Sequence, residues 1–91
     1  MAAYIDSAQG GAAQITVSGR GTPGYRVYLN QAGTGATLGS GVVGSNGIYS
    51  FTTQEAIVQN FRGQTINVQV RETVDNVNYS DWSLTRSVTI S

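Results

Sequence analysis

The chain has 91 residues, no cysteine, no histidine and no lysine, and five arginines balance five acidic residues to a net charge of zero. This length predicts one domain, residues 1–91. Zero net charge argues against nonspecific nucleic-acid binding, and no segment approaches the ~20 apolar residues that cross a bilayer. Without cysteine there is no thiol nucleophile or thiolate ligand, and without histidine the commonest general base and metal ligand are missing. We therefore predict no enzyme, no cofactor and no bound metal.

Alternating apolar residues predict β-strands through the first half of the chain. A first strand is expected near residues 3–7, and "AQITVSG" places Ile15 and Val17 on one face. The segment "YRVYLN" places Val27 and Leu29 on one face in the same way, whereas "ATLGSGVV" is a weaker strand because of its glycines.

Two glycine-containing turns separate these strands. In "SGRGTPGYR", Pro23 and Gly24 fit a type II turn, and the alternative is a loop in which Arg20 contacts a carboxylate or phosphate. Asn46 and Gly47 predict a tight hairpin because both residues tolerate positive φ.

One segment departs from the period of two. In "TTQEAIVQNFRG", Thr52 and Glu55 have the spacing of a capping box, an apolar run follows, and Gly63 ends the segment. We expect a helical turn or short helix that bridges two strands.

The last part of the chain predicts two further strands. "QTINVQVRET" is the most regular, with Ile66, Val68 and Val70 facing inward. "WSLTRSVTIS" places four apolar residues in phase: Trp82, Leu84, Val88 and Ile90. Arg86 falls on the same parity, which predicts a bulge or an exposed strand end there.

Taken in order, the elements predict an all-β fold. About seven short strands with frequent turns favour an antiparallel immunoglobulin-like β-sandwich with one short helical crossover. A small barrel is the alternative.

The first part of this pattern resembles a known family. The segment "ITVSGRGTPGYRVYLNQAGTGATLGSGVVGSNGIYSFTT" is similar to the bacterial immunoglobulin-like domains of surface adhesins and phage virion proteins. The positions that carry the resemblance are Gly19, Pro23, Gly24, Leu38, Gly39, Gly47, Tyr49 and Phe51. The later "VQVRETVDNVNYSDWSLTRSVTI" is similar to the last two strands of fibronectin type III domains, so the resemblance covers about residues 14–91. It implies a noncatalytic spacer, display or adhesion module and supplies no invariant functional residue.

The segment "DNVNYSDWSLT" is interpreted as a hairpin connection that leads into the last strand. The parity of Trp82 favours a place in the core over a role as a contact for sugars or proteins. Val74 and Val77 are expected to help cap the core. The four polar residues Asp75, Asn76, Asn78 and Asp81 favour Asx turns, with a calcium loop as the alternative. Asp75 and Asp81 also form the one carboxylate pair that could act as in a glycosidase.

The candidate binding site is a sheet face. In an immunoglobulin-type sandwich the strands near 25–30, 65–74 and 82–90 share a sheet. The outward residues chosen as the site are Arg26, Tyr28, Asn30, Gln69 and Arg71, with Asn67, Thr85 and Ser87 beside them. Arginine and tyrosine are favoured at interfaces, and planar amides suit sugar hydroxyls. The alternative is a solvated sheet without a ligand.

These observations predict a noncatalytic accessory module in a larger virion or surface assembly. The chain shows no export signal, and without cysteine it needs no oxidising compartment. We therefore expect it on a virion surface or on a bacterial cell surface, where it acts in display, spacing or weak adhesion. The alternative function is carbohydrate binding to a surface glycan by the face that carries Arg26, Tyr28, Gln69 and Arg71.

Overall fold

Two antiparallel sheets pack face to face in the computed structural model, which describes residues 3–91. The seven strands are β1 (Tyr4–Gly11), β2 (Gln14–Arg20), β3 (Arg26–Gln31), β4 (Thr37–Val42), β5 (Ile48–Thr53), β6 (Gln64–Thr73) and β7 (Arg86–Ile90). One short helix, α1 (Ala56–Gln59), connects β5 to β6. The first sheet has the order β1-β2-β5, and the second has the order β4-β3-β6-β7. The predicted all-β sandwich is confirmed.

The alternation of apolar residues explains the core. Inward positions along the strands are apolar, so the sheets bury one continuous layer of side chains between them. The fully buried members include Ile15, Val17, Val27, Leu29, Leu38, Val68, Val70 and Ile90. Outward positions are mostly hydroxyl and amide side chains. The prediction that β3, β6 and β7 share a sheet is also confirmed.

The two predicted turns have different outcomes. The type II turn is confirmed, because the Tyr25 N–H donates to the Thr22 carbonyl at 3.0 Å and Gly24 has a φ of +82°. The turn at Asn46 and Gly47 forms too, but the hairpin prediction is wrong. The strands on its two sides, β4 and β5, lie in different sheets, so this turn carries the chain across the sandwich.

The predicted short helix is confirmed as a single turn, but its capping box is wrong. Thr52 lies within β5, where its hydroxyl contacts that of Thr16 at 3.0 Å. Glu55 is the N-cap residue and makes no side-chain capping hydrogen bond. The pairing of Thr52 within β5 therefore outweighs the local capping interaction. Val58 is the one helix residue that is buried.

The last strand begins later than its apolar parity predicts. β7 starts at Arg86, and the preceding Trp82 and Leu84 are 37% and 90% exposed. The core prediction for Trp82 is therefore wrong, as is the expectation that Val74 and Val77 cap the core, since both are exposed. Arg86 is an exposed strand end, which is one of the two alternatives predicted for it.

Contacts at the two edges of the sandwich close it. At one edge, Arg86 Nη2 donates to the Ile5 carbonyl at 3.1 Å, beside a register shift in β1. At the other edge, the Thr53 hydroxyl donates to the Leu38 carbonyl at 2.7 Å. These bonds satisfy strand-edge groups that would otherwise lack partners.

The approach of β1 to β7 depends on Gly10. A Cβ atom at this position would lie 1.7 Å from the Thr89 carbonyl oxygen, whereas one at Gly11 would meet only the flexible side chain of Gln14, at 3.0 Å. We expect Gly10→Ala to lower the free energy of unfolding by about 1–3 kcal/mol or more, because backbone must shift to make room. Gly11→Ala is the matched control, and urea denaturation measures both. Equal midpoints for the two variants would contradict the predicted contact.

Candidate binding face

The backbone of β6 extends beyond the strand that pairs with it. The register between β6 and β7 ends at Val68 opposite Arg86, although β6 continues to Thr73. Two serines complete the ladder. The Ser83 N–H donates to the Val70 carbonyl at 2.8 Å, and the Ser83 hydroxyl accepts from the Val70 N–H at 3.0 Å.

Ser80 repeats this arrangement one step further along. Its N–H donates to the Glu72 carbonyl, and its hydroxyl accepts from the Glu72 N–H, both at 2.9 Å. Ser80 and Ser83 are three residues apart, but their partners are two apart. The segment therefore follows β6 as an irregular edge and is not a strand.

This pairing places two aromatic rings on either side of Arg71. The Arg71 Cζ atom lies 4.0 Å from the centroid of the Tyr79 ring and 4.4 Å from that of the Trp82 ring. Rings at this distance attract a guanidinium through their negative faces. The loop is thus attached to the sheet by its backbone and by this stack.

Tyr28 extends the stack onto the neighbouring strand. Its ring lies edge-on to that of Tyr79, with centroids 6.2 Å apart. The Tyr28 hydroxyl donates to Asn76 Oδ1 at 2.8 Å, and the Tyr79 hydroxyl donates to the Asn76 carbonyl at 3.2 Å. The order Tyr28, Tyr79, Arg71, Trp82 defines what we call the aromatic–arginine stack.

The structure brings four of the five predicted site residues together on the outer face of the four-stranded sheet. Tyr28 is directly opposite Arg71, and Asn30 is opposite Gln69. Arg26 is exposed, and the other three on this face are partly exposed. The prediction that Asn30 belongs to the binding site is wrong. Asn30 is only 3% exposed, and its amide donates to the Gly35 carbonyl at 2.8 Å. It serves the β3–β4 turn and is not available to a ligand.

The sequence reasoning missed Tyr79, Ser80 and Ser83 and assigned Trp82 to the core. A signal was present in the repeated pair of an aromatic residue followed by serine, Tyr79-Ser80 and Trp82-Ser83. The same irregularity follows Ser83: Ser83 and Arg86 are three residues apart, whereas their partners in β6 are two apart, so Trp82 is out of phase with β7. The side chain of Trp82 consequently lies on the outer face.

Asp75 organises the start of the same loop. Its Oδ1 atom accepts from the backbone N–H groups of Val77 and Asn78, each at 2.9 Å, and its Oδ2 accepts from the Asn78 amide. Asn76 has a φ of +60° within this turn. These bonds, led by those from Asn78 and Val77, lower the pKa of Asp75 to about 2. The Asx-turn interpretation is confirmed.

The described residues form two concave regions, and Tyr79 of the stack lines the smaller one. A groove of about 620 Å³ runs between β4, β5 and α1, and Glu55 is the one charged residue in its lining. A cavity of about 250 Å³ lies at the end of the sandwich, where Glu72 belongs to its lining. Glu72 is 1% exposed, and both of its carboxylate oxygens accept from the Thr22 N–H at 3.2 Å. This carboxylate holds the β2–β3 turn.

Neither a metal-binding cluster nor a membrane-spanning helix occurs in the described part of the chain. Within residues 3–91, histidine, cysteine, aspartate and glutamate side chains form no group of three that could hold a metal ion. Across that part of the chain, no helix has the length and apolar character required to span a membrane.

Comparison with known proteins gives no match. No family model, no curated protein and no solved structure shows significant similarity to the chain. The resemblance to bacterial immunoglobulin-like and fibronectin type III domains therefore stays a prediction.

The position of Trp82 determines what its removal should cost. Because the ring stacks on Arg71 at the surface, we expect Trp82→Ala to lower the free energy of unfolding by about 1 kcal/mol. A buried tryptophan would cost ~3 kcal/mol or more. Leu84→Ala is the control and should be neutral, since Leu84 is 90% exposed. Urea denaturation distinguishes the two, and a loss near the larger value would place the ring in the core.

The loop around Asp75 should respond to acid. The folded pKa of about 2 lies below the ordinary value of 3.8, so the charged form stabilises the turn. That contribution is fully present above about pH 4 and is lost as the pH falls through about 2. NMR shifts of the Val77 and Asn78 amide protons should show this transition. Asp75→Asn should abolish it, and Asp81→Asn should not. Its persistence in Asp75→Asn would refute the assignment to this carboxylate.

Proposed function

We propose that the chain is a noncatalytic accessory module that presents the outer face of its four-stranded sheet to a partner. The observation that carries this proposal is the aromatic–arginine stack, which holds Arg71 4.0 Å and 4.4 Å from two ring centroids at the surface. Side chains fixed in this way lose little conformational entropy on binding. The face would therefore need little rearrangement to bind a partner.

The carboxylates support a noncatalytic role. The pair that resembled a glycosidase site contains Asp75, whose oxygens already accept hydrogen bonds from Val77 and Asn78. Asp6 is paired with Arg20 at 3.1 Å, and Glu72 is buried against Thr22. Their hydrogen bonds assign these three acids to maintaining the fold.

The proposed setting is the surface of a phage virion or of a bacterial cell. Packing and hydrogen bonds hold the two sheets together without cysteine, so folding needs no oxidising compartment. The outward positions of the three-stranded sheet are largely polar, with paired hydroxyls such as those of Thr16 and Thr52. A surface of this kind suits display, spacing or weak adhesion within a larger assembly.

Carbohydrate binding is the second candidate function, and the exposure of Trp82 favours it. One face of the ring lies on Arg71, and the residue as a whole is 37% exposed. Flat aromatic rings suit the apolar faces of sugars. Gln69 and Asn67, on the same face of β6, offer amides to hydroxyl groups.

The gene neighbourhood tests the proposed setting. Reading frames for capsid or tail proteins beside this sequence would support the virion. A longer frame with repeated sandwiches and a signal peptide would support a bacterial adhesin. Metabolic enzymes on both sides, with no structural or surface protein, would contradict both settings.

A glycan array tests the second function. We expect a hit whose signal is lost in Trp82→Ala and Tyr28→Ala but kept in Leu84→Ala, because only the first two belong to the stack. Circular dichroism checks that each variant is folded. The absence of any signal from the folded wild-type domain would reject carbohydrate binding and leave the role in display or spacing.

A further inference from the structure

Arg71 is held in place without a negatively charged partner. Its Cζ atom lies over the rings of both Tyr79 and Trp82, and its Nε atom is buried with no hydrogen-bond partner. The one ion pair within residues 3–91 joins Arg20 to Asp6. A guanidinium is a rigid fork of donors that fits a carboxylate. Arg71 is partly exposed and forms no ion pair, so the N–H groups other than the buried Nε are the donors left for a carboxylate.

Arg26 supplies a second cation beside the first. Ser40 and Arg71 are the two cross-strand partners of Tyr28, one on each side of it. Arg26 Nη1 donates to the Ser40 hydroxyl at 3.3 Å, so the two arginines flank Tyr28. Arg26 also takes part in no ion pair within the described residues.

No carboxylate on this face neutralises the arginines. The outward positions of β3, β4, β6 and β7 carry no aspartate or glutamate. In the adjoining loop, the oxygens of Asp75 are occupied by N–H groups of Val77 and Asn78. Asp81 forms no ion pair with any residue from 3 to 91. The four strands therefore contribute two positive charges and no negative charge to this face, and Asp75 and Asp81 lie in the adjoining loop.

We propose that Arg26 and Arg71, which lie on opposite sides of Tyr28, bind carboxylate groups of an acidic saccharide. This inference rests on the proposed role of the face as a contact surface, and it names the chemical class of the ligand. The guanidinium groups recognise the carboxylates, while Trp82 offers a ring to the sugar and Gln69 an amide. The saccharide is favoured because the apolar face of a pyranose ring fits the flat Trp82 ring while its carboxylate meets a guanidinium. An acidic peptide shares only the carboxylate by necessity, and the experiment below compares the two.

Two matched pairs of sugars test the ligand class. Isothermal titration should compare 3′-sialyllactose and trigalacturonic acid, each with its own neutral methyl ester. In at least one pair, the acidic sugar should bind about tenfold more tightly than the neutral one, the gain typical of a charge-assisted hydrogen bond. This difference should shrink as salt is raised, because the contact lies at the surface.

Charge-neutralising variants test the site. Arg26→Gln leaves the aromatic–arginine stack intact and should remove most of the preference for the acidic sugar. Arg62→Gln makes the same charge change at an exposed position outside this face and should have no effect. Arg71→Lys keeps the charge but loses the planar fork, and should also weaken binding of the acidic sugar. Circular dichroism and urea denaturation verify folding in each case.

Three outcomes would overturn the inference. Equal affinity for acidic and neutral sugars, or no binding of either acidic sugar, would remove the carboxylate contact. Equal loss in Arg26→Gln and Arg62→Gln would show a nonspecific effect of charge. Binding of an oligoglutamate peptide as tightly as the acidic sugar would reject the saccharide. The gene neighbourhood tests the accessory role independently of these outcomes. The saccharide proposal can therefore fail while the accessory role stands.

Discussion

The second half of β6 needs hydrogen-bond partners that β7 does not provide. An unpaired backbone group beside a buried face costs free energy, and β6 exceeds β7 by five residues, ten against five. Ser80 and Ser83 resolve this by pairing with Glu72 and Val70 through both backbone and hydroxyl groups. The path of the loop, and hence the chemistry of the outer face, follows from this local requirement.

Serine pairing also decides which side chains face outward. Each serine is preceded by an aromatic residue, and both rings lie over the outer face at Arg71. Asp75 and Asn76 hold the beginning of the loop through backbone bonds and through the Tyr28 hydroxyl. A segment of twelve residues between two strands thus becomes an ordered layer on the sheet. Its apolar atoms remain at the surface because the core is complete without them.

The sequence predicts the sandwich well because alternation with a period of two separates the buried side chains of a strand from the exposed ones. Ile66, Val68 and Val70 behave as their pattern requires. It fails at Trp82 because parity assumes a continuous strand. Ser83 and Arg86 are three residues apart, whereas their partners in β6 are two apart. It fails at Asn30 because an outward position can still be enclosed by its own turn. The side of the sheet on which a loop folds back depends on long-range pairing, which no local pattern contains.

The neutrality of the whole chain conceals an uneven distribution of charge. Asp6 is neutralised by Arg20, Glu72 is buried against the Thr22 N–H, and Asp75 is enclosed by backbone donors. Three of the five acids therefore serve the fold. On the outer face of the four-stranded sheet, Arg26 and Arg71 have no such partners. Two cations are few for retaining a polyanion at physiological salt, which is the reason for expecting no nucleic-acid partner. Their unpaired placement on one face is the reason for proposing a carboxylate ligand instead.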